Sequence, residues 1–267
     1  MHLLLYAFAL LVVLSNASPL YRRAPATIHS TCTVPGTFAI TVDDGPYNQT
    51  WDLIKYLNEQ NVHATFFING KNWVDVATDS TLTSDGEKTY MDHVRFMHSS
   101  GHQVASHTFT HQILTDLTED EIIDEMNMMS DLIYEAIQER PRYMRPPNGA
   151  YDDATQATLG NLGYEMVLWD LDSKDYINHN ATVNERVFVQ AFKDEDPKAQ
   201  VTPAAISSKP EVSKPTPLPT GSHIALMHDV HYQTGPELIP WLVGQLRTRG
   251  YKMTTVADCL DDPRPYQ

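Results

Sequence analysis

The chain is short of cysteine, of positive charge and of long apolar runs, and each shortage excludes something. Two cysteines, Cys32 and Cys259, leave one possible pair. Nineteen Lys and Arg against 34 Asp and Glu give a formal charge of -15. Such a field repels nucleic acid and anionic lipid, so a nucleic-acid partner is excluded and a neutral or cationic polymer fits better. The same shortage removes the basic cluster that a phosphoesterase would want. No apolar run after residue 14 has the length of a membrane helix, so no membrane span is expected. No internal repeat is visible.

What is present begins with the N-terminus. Leu3 through Leu14 is almost wholly apolar and is followed by Ser15-Asn16-Ala17-Ser18. At roughly a dozen residues the run is too short to cross a bilayer and matches a secretory signal, with cleavage near residue 18. His2 is the only basic-type residue ahead of it, and Arg22-Arg23 offers a dibasic processing site. A secreted, extracellular or cell-wall protein is expected, and in an oxidising compartment Cys32 and Cys259 form a disulfide that closes nearly the whole chain. The sequons at Asn48 and Asn180 are glycosylation candidates.

The 267 residues suit one catalytic domain. Short apolar runs at Phe38–Val42, Ala64–Ile68, Gln103–Ser106, Arg142–Met144, Glu165–Trp169, Ile224–Met227 and Met253–Val256 read as buried strands. Helical patterns fall between them at Thr50–Gln60, Tyr90–Ser99, Thr118–Glu139, Asp152–Leu162, Val183–Lys193 and Pro236–Arg249. Thr118-Glu119-Asp120-Glu121 is a capping box, and Gly101, Gly163 and Gly250 sit just past helix ends. Alternating strand and helix with short connections predicts a parallel α/β sheet or barrel. The domain is expected over 37–260, after an extension at 19–36 and before a tail at 261–267. A Pro/Lys-rich insertion at 194–221 interrupts it.

Five polar clusters each follow a predicted strand. They are Asp43-Asp44, His107 with His111, Arg145-Pro146-Pro147-Asn148, Asp170 with Asp172 and Asp175, and His228-Asp229. Strand C-termini of α/β barrels converge on one face, where active sites sit. His107 and His111, four residues apart, can reach one metal from a single turn. The glutamate of the His-Glu-x-x-His zinc helix is absent, so a general base must come from elsewhere. On spacing alone the two could equally be surface histidines, and Asp43-Asp44-Gly45-Pro46 a turn. Adjacent carboxylates on an apolar strand are costly to bury, however, and a divalent cation plus an arginine would remove that cost. Two His and one Asp would leave zinc an open position for water, and the second Asp could accept its proton.

Together these residues resemble a known family. Thr41-Val42-Asp43-Asp44-Gly45, His107-Thr108-Phe109-Thr110-His111, Arg145-Pro146-Pro147-Asn148, Asp172-Ser173-Lys174-Asp175-Tyr176 and Leu226-Met227-His228 look like the five ordered motifs of the polysaccharide deacetylases. This is the NodB-homology group, carbohydrate esterase family 4, and the likeness is to fungal chitin deacetylases. It implies a distorted (β/α) barrel and hydrolysis of the N-acetyl groups of chitin or chitooligosaccharides. It further implies Asp44, His107 and His111 as ligands of Zn2+, with Co2+ the other candidate. Asp43 is implied as general base and His228 as general acid. Arg145 would orient Asp43, while Asp175, helped by Asp172, would tune His228. Tyr176 and Leu226 would line the acetyl-methyl pocket, and the backbone N–H near Asn148 would hold the oxyanion. The chemistry asks for the same parts, because an amine leaves poorly unless protonated.

Val42 stands where the family has Phe, and Asn148 where it commonly has Tyr, which removes an aromatic contact from the cleft wall. Among the remaining residues His93, His98 and His102 read as helix-end cations, and His63, His179, His223 and His231 as surface residues. Trp73 is the best candidate for a sugar platform. A carbohydrate partner and a monomer are expected. The alternatives are an acetyl-ester hydrolase acting on xylan and a non-catalytic carbohydrate-binding relative.

Overall fold

The structure is a computed structural model and describes residues 23–195, 219 and 221–267. The expected signal segment and nearly all of the 194–221 insertion lie outside the described residues, as does Arg22.

Among the described residues, nine strands form one parallel sheet. They are β1 (Ile28–His29), β2 (Thr37–Asp43), β3 (Thr65–Ile68), β6 (Gln103–Ser106), β7 (Tyr143–Met144), β8 (Glu165–Val167), β9 (Leu171–Asp172), β10 (His223–His228) and β11 (Lys252–Thr254). A hairpin of β4 (Ser80–Thr83) and β5 (Gly86–Thr89) stands apart. The sheet order is β1-β8-β7-β6-β3-β2-β10-β9, with β11 also on β2. β3 pairs with β2 at Thr41–Asp43 and β11 pairs with it at Thr37–Ala39, so the two share one edge of β2. The curled sheet and its surrounding helices make a distorted (β/α) barrel.

The two-residue period of the strands sorts their side chains. Phe38, Ile40 and Val42 of β2, with Phe66, Ile68, Val104, Ala225 and Met227, join the larger core beneath the helices. Val42 is packing, as its position in the motif suggests. The opposite parity, Ala39, Phe67, Ala105, Tyr143, Val167 and Ile224, forms a second cluster inside the barrel. Continuing that inward parity to the strand ends reaches Asp43, His107, Arg145 and His228. Burial on both faces explains the near-continuous apolar runs.

Among the described residues, six longer helices cover the sheet: α1 (Thr50–Glu59), α2 (Tyr90–Ser99), α3 (Glu119–Ile137), α4 (Asp153–Leu162), α6 (Ala181–Glu195) and α7 (Ile239–Arg249). Two short ones are α5 (Asp175–Asn178) and α8 (Val256–Cys259). The capping box at Thr118 and Glu121 forms as expected, and a second occurs at Thr89 and Asp92. Gly163 and Gly250 are left-handed C-caps, with φ of 87° and 80°. A π-helical turn, Thr234–Leu238, leads into α7 where one continuous helix from Pro236 is expected. None of the helices among the described residues is long and apolar enough to cross a membrane.

Both flanks of the barrel are tied to it. β1 pairs with β8 through Ile28 and His29. Tyr266 bridges to Pro141, and its hydroxyl accepts from the Val104 amide at 3.2 Å. Cys32 and Cys259 are joined as a disulfide, with their Cα atoms 5.0 Å apart.

Candidate active site

Strand register assembles the site. Parallel pairing of β2 with β10 sets His228 beside Asp43, and pairing of β6 with β7 sets Ser106 beside Met144, just before His107 and Arg145. Residues from all five clusters thus meet at the C-terminal mouth of the barrel, except Asp170, which turns to His223 and the Ile224 amide at the start of β10.

Asp44, His107 and His111 each offer a donor atom, and the three atoms lie within 4.8 Å of one another. Asp44 Oδ1 is 3.5 Å from His107 Nε2 and 3.2 Å from His111 Nε2. His107 Nδ1 contacts the Arg145 carbonyl at 2.7 Å, which makes that nitrogen the protonated one and frees Nε2 to act as a ligand. Burial raises the Asp44 carboxyl, but the His111 hydrogen bond and the imidazole charges outweigh it and hold the carboxyl well below the usual range. Burial lowers His107, so the ring is neutral, the form a metal takes. Asp44 Oδ1 is buried and, among the described residues, has nothing beside it but those two imidazole nitrogens. Two imidazole nitrogens, one of them on the neutral His107, facing an ionised carboxylate fit a divalent cation.

The backbone here is forced into uncommon conformations. Asp44, Thr108, His111 and Asn148 have φ of 73°, 69°, 60° and 57°. For Thr108, which is β-branched, the left-handed region is strained, and such strain concentrates at functional sites. Asn69 at the end of β3 holds the turn from one side, donating through Nδ2 to the His107 and Thr108 carbonyls at 2.5 and 2.9 Å. Thr108 Oγ1 accepts from the His111 amide at 3.1 Å.

Asp43 faces the same space but is differently held. Its Oδ1 accepts from Arg145 Nη1 at 2.6 Å, and Oδ2 lies 3.7 Å from His107 Nε2. Arg145 is fully buried and spends its other donors on Thr41 Oγ1 and on the Val167 and Leu168 carbonyls. Its guanidinium stacks 4.1 Å from the Phe67 ring centroid and 5.5 Å from that of Trp169. The arginine is therefore immobile, and with it one oxygen of Asp43.

Across the mouth, Asp175 accepts from the His228 amide at 2.7 Å, pairs with its Nδ1 at 2.8 Å, and accepts from Thr234 Oγ1 at 2.7 Å. Burial lowers the His228 pKa, but the Asp175 hydrogen bond and charge, with Asp43 and Asp44, push it up to about 9. His228 is thus a protonated imidazole at neutral pH. Asp172 does not share this task. Its carboxylate holds Lys174 Nζ at 2.6 Å and the Tyr176 hydroxyl at 3.2 Å, and so shapes the turn carrying Tyr176. Tyr176 lies edge-on to His228, ring centroids 5.3 Å apart, and Leu226 is buried on β10 one inward position below. Asn148 is exposed in the Pro147–Gly149 turn.

Other expected residues lie as follows. Trp73 is exposed beside Tyr47, ring centroids 5.8 Å apart. His93 and His102 are buried in the core rather than solvated at a helix end. His223 is not a free surface residue either, since it bridges Asp170 and Glu195, each at 2.6 Å. Asn69, Thr234 and Asp229 are supporting residues that had no role assigned from sequence. Asp229 is fully buried, and burial together with the charges of Asp44 and Asp43 pushes it up to about 7. It accepts from Thr50 Oγ1 and fills the space that a side chain on Gly45 would need, a Cβ there lying 2.4 Å from Oδ1.

An independent proton acceptor and donor flanking a cation site is what cleavage of an acyl bond with a poor leaving group requires, so fold and site together define a hydrolase. Residues 30–167 match the family model polysaccharide deacetylase, and the chain belongs to that family. It is 34% identical to a chitin deacetylase of Colletotrichum lindemuthianum over 96% of this chain and 93% of the relative. A chitin deacetylase of Pestalotiopsis sp is 32% identical over 95% of this chain and 75% of the relative. The solved structure of the chitin deacetylase from Colletotrichum lindemuthianum superposes with a TM-score of 0.75 at 32% identity, covering 91% of this chain and 96% of that one.

Proposed function

We propose that this protein removes N-acetyl groups from GlcNAc residues of chitin or chitooligosaccharides, releasing acetate, with Zn2+ held by Asp44, His107 and His111. The observation that carries this reading is the opposition of an arginine-held carboxyl and a carboxylate-held imidazole at one mouth. Asp43 is paired to Arg145, and His228 is paired to Asp175, on adjacent strands in register.

When bound, the cation supplies a Lewis acid that polarises the amide carbonyl and acidifies water. The chain's own residues do the rest. Asp43 accepts the proton of the attacking water, and is placed to do so because Arg145 holds one of its oxygens at 2.6 Å. The backbone N–H near Asn148 donates to the developing oxyanion. His228 delivers its proton to the departing amine, without which the nitrogen could not leave. Asp175 fixes the tautomer and supports the charge of His228. Leu226 and Tyr176 bound the space for the acetyl methyl.

Several attributes complete the proposal. The catalytic unit spans 37–260 and acts as a secreted, extracellular or cell-wall monomer. Asn48 and Asn180, both exposed, carry glycans. The test is acetate release from defined chitin oligomers, with chelation and metal add-back. Release that is abolished by chelation and restored by Zn2+ is expected; none from a metal-replete sample across acetylated glycans would overturn the reading.

A further inference from the structure

The acidic residues of α3 face solvent, with one exception. Ile122, Met126, Met129, Leu132 and Ile133 make its apolar stripe, and Glu125 lies on that stripe, 4% exposed. A carboxylate there is costly unless something specific receives it. Glu125 Oε2 accepts from the Thr110 amide at 2.7 Å, and Oε1 accepts from the Thr110 hydroxyl at 2.6 Å. Gln112 Nε2 approaches the same Oε1 at 3.5 Å. All these contacts go to the turn that carries His111, none to the rest of the barrel.

That turn needs holding. It runs through Thr108 and His111, both left-handed without being glycine, so an unrestrained loop would relax away from the conformation that aims His111 at Asp44. Asn69 fastens its first half through the His107 and Thr108 carbonyls. We propose that Glu125 is a positioning residue that fastens the second half, so that the ligand set is preformed by a clamp between the end of β3 and the buried face of α3. The inference rests on the reading of Asp44, His107 and His111 as cation ligands. A preformed site binds more tightly because the protein does not order a loop at the moment of binding.

The bidentate grip on one residue makes the proposal testable by geometry. Glutamine can reproduce both contacts, its oxygen accepting from the Thr110 amide and its nitrogen donating to the hydroxyl oxygen. Alanine can reproduce neither. Zn2+ affinity should be measured on the full chain by competition with a chromophoric chelator, beside the unfolding temperature of the metal-free protein. Glu125→Ala is expected to lose at least tenfold in Zn2+ affinity, and Glu125→Gln to stay within about threefold of the parent. A residue that merely supported α3 would lower the metal-free unfolding temperature and leave the affinity alone. If Glu125→Ala does not fold, Thr110→Val removes the hydroxyl half of the grip from the other partner and should weaken Zn2+ binding at least threefold. Parental affinity in the folded variants would overturn the proposal. So would equal losses in Glu125→Gln and Glu125→Ala, which would assign the effect to charge. A parent that binds no Zn2+ would overturn the metal reading beneath it, a result distinct from variants that match a binding parent.

Discussion

Asp43 and Asp44 are adjacent in sequence, yet the chain gives them different surroundings. Asp44 meets two imidazoles through one buried oxygen, whereas Asp43 is pinned by a buried guanidinium. Asp44→Asn should therefore weaken metal affinity by more than tenfold. Asp43→Asn should retain the metal and lose at least a hundredfold in turnover, as loss of a general base does. Metal titration beside kcat on both variants checks this, and equal loss of metal would contradict the division of labour. The second prediction concerns His228. Its folded pKa is raised, so its stabilising contribution in the metal-free protein is complete below its unfolded value and disappears as pH rises through about 9. The same sign governs catalysis, since the acid must hold a proton. Asp175→Asn removes the hydrogen-bonded charge that raises His228, and should move the alkaline limb of kcat to lower pH by at least one unit while leaving the acid limb in place. An unmoved alkaline limb in the pH–rate profile would assign that limb to another group.

At the scale of elements, legibility followed periodicity and length. Each of the seven predicted strands has a counterpart, though the last ends at Thr254 and Val256 opens α8, because buried parallel strands write themselves as continuous apolar runs, and the barrel's inward parity places the chemical residues at their ends. The six expected helices form as well, two with hydroxyl–carboxylate capping boxes. What escaped is short or polar. β1 and β9 have two residues each, too few to show a period, and they exist through their neighbours' hydrogen bonds. The β4–β5 hairpin, Ser-Thr-Leu-Thr and Gly-Glu-Lys-Thr, is largely solvated and carries no apolar alternation strong enough to announce it. Within the site, Asp44, His107, His111, Arg145 and His228 were legible because motif order located them. Asp172 was assigned to His228 by the resemblance, through its motif with Asp175, while only the fold shows its carboxylate turned to Lys174. Glu125 did leave a signal, an acidic residue three positions after Ile122 on an apolar stripe, but its partner loop could not be read from the helix alone. His223 left none, as its two carboxylates come from 53 and 28 residues away.

For the whole molecule, the chain is closed by one covalent link spanning a sequence separation of 227. Loop-closure entropy for such a span stabilises the folded state by up to about 5 kcal/mol in the chain-entropy model, with measured values commonly smaller. The link sits at the opposite end of the barrel from the chemistry. Cys32 precedes β2, whose seven residues carry the chain roughly 20 Å to Asp43 at the mouth. The contact it secures also has other support, since the Thr33 and Val34 amides both donate to the Cys259 carbonyl at 3.0 Å and β1 and β11 remain paired to the sheet. Replacing both cysteines with serine should therefore leave the folded arrangement and the metal site intact. The variant should keep Zn2+ affinity and kcat within about twofold of the parent, while its unfolding free energy in denaturant falls by about 2–5 kcal/mol. Loss of metal affinity in a sample that is still folded would mean that the two ends of the barrel are mechanically coupled, against the local hydrogen bonding that holds each of them.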